Sequence, residues 1–124
     1  MNAEEPFKIV ILQLILSKKP ESALEALSKY YYVETPKLKV GMPKGHSKNT
    51  GCYVQKTKTI HVSNQDILCD PYVILHEFYH HLRVQDGVHR GTEKNANRFA
   101  RGYIEAYMAR YLKIKSEGST EEWG

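Results

Sequence analysis

The sequence predicts an α+β domain. It should hold two N-terminal helices, a small and mostly antiparallel three-stranded sheet, a helix bearing a histidine pair, and a long C-terminal helix. Three observations carry this prediction. Apolar residues recur at helical spacing before residue 32 and again after residue 70. Between residues 38 and 63 they fall in short runs separated by turn-forming residues. Proline, aspartate and threonine stand where helices ought to begin. With 124 residues, 41% of them apolar and 26% charged, the chain fits one domain, 1–124, with a packed core. Gly 8 and Pro 5 exclude a collagen-like or disordered class.

Residues 6–18 and 21–32 read as the first two helices, with Pro6 and Pro20 near the first helical positions, where a missing N–H does no harm. In the second, Leu24, Leu27 and Tyr31 share a face that excludes Glu21 and Glu25. Leu38–Val40, Gly51–Gln55 and Thr59–Ser63 read as strands, divided by Gly41-Met42-Pro43-Lys44-Gly45 and by Ser47-Lys48-Asn49-Thr50-Gly51. Asp70-Pro71 supplies an N-cap and a first-turn proline, and Gly87 a stop, so Asp70–Asp86 should be helical. Thr92 caps the last helix. Its stripe of Ala96, Phe99, Ala100, Tyr103, Tyr107, Tyr111 and Ile114 runs toward Gly118, and residues 119–124 should fray.

The net charge of +4 is local: residues 37–60 contain Lys37, Lys39, Lys44, Lys48, Lys56 and Lys58 and no acid. Such a patch can meet nucleic acid or an acidic protein, but it contains no arginine, and lysines at this density also serve simply to solvate strands and loops. The longest apolar run, Ile9–Leu16, is interrupted by Gln13 and is too short to span a bilayer, and Glu4 and Glu5 replace a basic leader. A cytoplasmic protein without membrane contact is expected. Cys52 and Cys69 fit no CxxC-type zinc site and are expected to be buried thiols, a disulfide between them being an alternative only in a hyperthermophile.

The chemistry is concentrated in His76-Glu77-Phe78-Tyr79-His80. Residues four apart share a helix face, so His76 and His80 can direct imidazole nitrogens at one metal ion, and Glu77 stands beside them as a base. Leu75, Phe78 and Leu82 recur on the other side and should face the core. A catalytic zinc commonly takes three protein ligands. Three residues compete for the third place: Glu93 at the head of the final helix, His89, and Asp86, six residues after His80. Arg83 occupies the position where a turning glycine would favour Asp86. His81 lies about 100° round the helix from His80 and is expected to face solvent or to brace the site from behind.

His76-Glu77-Phe78-Tyr79-His80 followed by Glu93-Lys94-Asn95-Ala96-Asn97-Arg98-Phe99-Ala100 resembles the zincin metallopeptidases, and among them the ImmA/IrrE-like family, as a minimal zincin domain. The similarity covers roughly residues 58–103. In that family H-E-x-x-H is followed by E-x-x-A-N-x-F-A, whose glutamate is the third zinc ligand. Thr59-Ile60-His61-Val62-Ser63 looks like the zincin edge strand that pairs with an extended substrate. The spacing from His80 to Glu93 is shorter than in many such proteins, and no helix-turn-helix segment accompanies it.

The resemblance implies Zn2+ held by His76, His80 and Glu93, with Glu77 catalytic and water in the fourth position. It implies hydrolysis of peptide bonds in an intracellular protein or peptide substrate. Asn97, one turn after Glu93, is placed to brace a ligand imidazole, and Tyr103, Tyr107, Tyr79 and His61 are candidates for a donor to the transition state. Two rival readings use the basic residues Lys37–Lys58. One is an SprT-like DNA-associated protease, which a histidine third ligand such as His89 would favour; the other is a non-catalytic binding module of the same shape. So small a chain leaves little room for a deep specificity pocket, so the target should arrive unfolded or a partner should supply recognition.

Overall fold

Local sequence starts each helix where expected. The computed structural model describes residues 4–86 and 92–123. Helix α1 spans Glu4–Leu16 and α2 Pro20–Tyr31. The strands are β1 (Lys37–Val40), β2 (Gly51–Val54) and β3 (Thr59–Val62). A short 3-10 turn, Gln65–Cys69, leads into α3 (Pro71–Asp86), and α4 runs from Glu93 to Trp123. Asp70 Oδ1 accepts from the Tyr72 and Val73 N–H groups at 3.0 and 3.4 Å, and Thr92 Oγ1 accepts from the Asn95 N–H at 3.0 Å. Both helices thus satisfy N–H groups that have no partner inside the helix. The expected stop at Gly87 lies outside the described residues.

The architecture is α+β, as expected, but the sheet is mixed. Its order is β1-β3-β2, with β1 parallel and β2 antiparallel to β3. The segment 41–50 carries the chain from β1 past the end of β3, and β3 then returns between the other two strands. β3 takes the centre because it holds the most apolar inward residues, Ile60 and Val62, both fully buried. It therefore pairs on both sides and is not the free edge strand that Thr59–Ser63 resembled. The edge strands are β1 and β2, and of these β2 packs against α3.

Ile11 and Ile15 of α1, Leu24 and Leu27 of α2, the β3 pair, and Leu75, Phe78 and Leu82 of α3 form one core, all essentially without solvent exposure. Ala100 and Tyr103 bring α4 into it. The apolar stripe of α4 does not stay buried: side chains 108–116 are exposed, including Tyr111 and Ile114. Length accounts for this, since the 13 residues of α1 rise about 20 Å and the 31 of α4 about 46 Å. The helix also continues beyond Gly118, because an isolated glycine weakens a helix by about 1 kcal/mol without terminating it. Cys52 and Cys69 are free, half-exposed thiols and form no disulfide. Among the described residues no helix is long and apolar enough to cross a membrane.

Candidate metal centre

The site forms where α3 packs on α4 beside the edge strand β2. Helical spacing places His76 and His80 on one face of α3, their ring centroids 5.0 Å apart. The Thr92 cap fixes the first turn of α4 so that Glu93 reaches both. Glu93 Oε1 lies 3.0 Å from His76 Nε2, and Glu93 Oε2 lies 3.0 Å from His80 Nε2. One donor atom from each residue falls within 4.8 Å of the others, a cluster able to hold a metal ion. Among the described residues, Glu93 is the candidate for the third position that reaches the histidine pair. His89 and the side chain of Asp86 lie outside the described residues.

The hydrogen bonds test whether the donor set suits a cation. His76 faces two oxygen acceptors, Asn97 Oδ1 at 2.9 Å from Nδ1 and Glu93 at Nε2. A neutral imidazole carries one N–H and cannot serve both. With the proton on Nδ1, bonded to Asn97, the Nε2 lone pair points at the carboxylate, and a cation between them satisfies the pair. Two imidazoles and one carboxylate are also the donor types that zinc accepts. Tyr72 donates its hydroxyl to the same Asn97 oxygen at 2.5 Å, holding the amide in place. Asn97 thus holds the His76 ring by a hydrogen bond at Nδ1.

Glu77 is 8% exposed, with its neighbours on β2 packed closely against it. Burial, with a smaller push from Glu93, raises its carboxyl to about 7 against the pull of His76, so it can hold or release a proton near neutrality. Burial likewise lowers the pKa of His80 below the usual imidazole range, favouring the neutral ring that a metal requires. Cys52, which also lines the site, has its thiol pushed up by burial and by Glu77, the opposite of what a nucleophile needs.

Other sequence-based assignments do not reach the site. His61 Nδ1 lies 3.0 Å from the Gly41 carbonyl, and alternation along β3 turns the ring to the sheet face opposite Ile60 and Val62. Tyr103 is 1% exposed and shares a 2.6 Å hydrogen bond with Tyr31 in the core. Tyr107 packs at the edge of that core and Tyr79 against Phe99. Neither Tyr79, Tyr103, Tyr107 nor His61 lines the recess around the cluster. The tyrosines that do are Tyr53 and Tyr72. Tyr72 could have been found from its position four residues before His76.

His81 is not solvent-facing but fully buried. Its Nε2 donates to the Glu34 carbonyl at 2.6 Å, and its Nδ1 accepts from the Tyr53 hydroxyl at 2.7 Å. Residue 81 follows Ile74 by seven and Phe78 by three, so it continues the apolar stripe and ties β2 to α3 from beneath. His46 is exposed and borders the recess. Comparison with protein-family models, curated proteins and solved structures finds no match for this chain.

Proposed function

We propose that the chain is a zinc-dependent metallopeptidase, hydrolysing peptide bonds of an intracellular protein with Glu77 as its base. One observation carries this reading: His76, His80 and Glu93 converge beside a buried carboxylate whose proton affinity lies near neutrality. The resemblance to ImmA/IrrE-like zincins assigns the same residues the same roles. A glutamate in the third position also favours this reading over an SprT-like one. Free thiols on a half-exposed surface suit a reducing compartment.

His76 and His80 would hold the ion through Nε2 and Glu93 through its carboxylate. Zinc bound there supplies Lewis acidity, polarising the scissile carbonyl and making a nearby water more acidic. Glu77 takes the proton from that water as its oxygen attacks the carbonyl carbon. It then delivers the proton to the amide nitrogen as the C–N bond breaks, which leaves a carboxylic acid and an amine. Asn97 and Tyr72 keep the His76 ring from turning away.

The test is zinc content beside hydrolysis of an unfolded protein. The parent should carry about one zinc per chain. Glu93→Ala should lose it, and Glu77→Gln should keep zinc while losing hydrolysis. A parent that takes up no zinc when supplied, or a Glu77→Gln chain as active as the parent, would refute the proposal.

A further inference from the structure

Two recesses flank the His76, His80 and Glu93 cluster and share Gly51, Glu77 and Asn49 between them. The first, about 460 Å³, is lined by Tyr53, Gln55 and, late in α3, Arg83. The second, about 380 Å³, is lined by Thr50, by Tyr72 early in α3 and by Lys48 ahead of β2. Through the residues they share along β2 they make one groove, with Arg83 lining the first recess alone and Lys48 the second alone. Among the described residues the carboxylates that line it are Glu77 and Glu93, each shared by the two recesses. Arg83 and Lys48 are exposed, and among the described residues neither forms an ion pair. No acid occurs anywhere in residues 37–60 to neutralise that side.

We infer that the groove takes an extended peptide segment bearing acidic side chains on both sides of the scissile bond, one meeting Arg83 and the other Lys48. The inference rests on the peptidase reading and names its substrate class. A peptide fits this charge pattern because its backbone is neutral at the centre, where Glu77 lies, and its charges sit on side chains at either end. A nucleic acid carries a phosphate at every residue and would bring one against Glu77. The long, planar guanidinium of Arg83 can also pair a carboxylate through two hydrogen bonds.

The test measures binding apart from catalysis. The zinc-supplied Glu77→Gln chain is titrated by fluorescence anisotropy with two peptides of equal length. Both are neutral at the centre and carry either glutamates or lysines on the two sides. A single-stranded oligonucleotide of matching charge is the third probe. The glutamate peptide should bind about tenfold more tightly than the lysine peptide, with the difference shrinking in high salt. Adding Arg83→Glu or Lys48→Glu should each lower its affinity about fivefold, and both together should reverse the preference. Equal binding of the two peptides, no binding of either, a preference unmoved by both reversals, or an oligonucleotide held as tightly would overturn the inference. Hydrolysis of both peptides by the parent at equal kcat/KM would overturn it and leave the peptidase reading intact. Selective binding without hydrolysis would sink the peptidase reading and uphold the groove.

Discussion

Gly51 lets β2 lie against α3, and replacing it by alanine should measure how tightly the wall of the site is built. A Cβ at this position would stand 2.5 Å from Val73 Cγ1, far inside van der Waals contact, and 3.4 and 3.5 Å from Cγ and Oε2 of Glu77. Valine in a helix has essentially one χ1 rotamer, so Val73 cannot swing aside and the strand must move outward. Overpacking of this kind costs about 1–3 kcal/mol. At about 4 °C per kcal/mol for a chain of this length, Tm should fall about 4–12 °C. Val73→Ala removes the clashing methyl, so the two substitutions together should cost less than their sum by about 1–2 kcal/mol. Thermal and urea unfolding of the parent, both single variants and the double variant give all four values. Additivity within about 0.5 kcal/mol would show that the contact is not the reason for glycine at this position.

Asn97→Ala removes the acceptor for His76 Nδ1 and the partner of Tyr72, so zinc affinity should fall about 10- to 100-fold in a competition titration with a chromophoric chelator, at little cost in folding. Zinc should raise Tm of the parent by about 10 °C at 100 times its Kd, since a ligand bound only by the folded state then contributes about 2.7 kcal/mol. Glu93→Ala should abolish that rise, and an equal rise in both chains would place the metal elsewhere. The Tyr31 hydroxyl is pushed up to about 12 by burial, and Tyr103 is pushed up for the same reason. The folded chain therefore keeps protons that the unfolded chain releases near pH 10. Stability should hold below pH 10 and decline as pH rises toward 12. Alkaline unfolding followed by circular dichroism should be shallower in Tyr31→Phe, and an unchanged profile would remove this pair from the account.

Whatever depends on near neighbours in sequence was legible. The Asp70 and Thr92 caps, the α3 face carrying His76 and His80, and the core side at Leu75, Phe78 and Leu82 all follow from spacing and single-residue chemistry. What depends on docking was not. Spacing leaves Glu93, His89 and Asp86 as competitors because only tertiary packing decides which donor atom reaches the histidines. The 100° that separates His81 from His80 leaves solvent and the back of the site both open to it; burial is decided by partners from distant segments, Tyr53 and the Glu34 carbonyl. The strand order escaped for the same reason. Sequence order makes β2 the middle strand, whereas the burial of Ile60 and Val62 makes it β3. That exchange moved the free edge from the strand holding His61 to the one holding Gly51 and Tyr53.

These misplacements share a physical origin, and it bears on how the site works. The candidate ligands come from two helices, and their mutual placement is fixed by core contacts remote from the His76, His80 and Glu93 cluster: Phe78 on α3, Tyr103 on α4, and Tyr31 bridging to both. Glu93 contributes almost nothing to that packing, being 75% exposed at its side chain, so its approach to the histidines is a result of folding and not a cause. Folding energy therefore comes from the aromatic cluster, and the three donor atoms of the candidate site add little to it. A substitution at either place should leave the other measurable. The β2 wall is the exception, because Gly51 lies against both Val73 of the α3 packing and the buried Glu77 carboxylate, the proposed base. The one glycine that a strand should not favour is thus where stability and chemistry are joined.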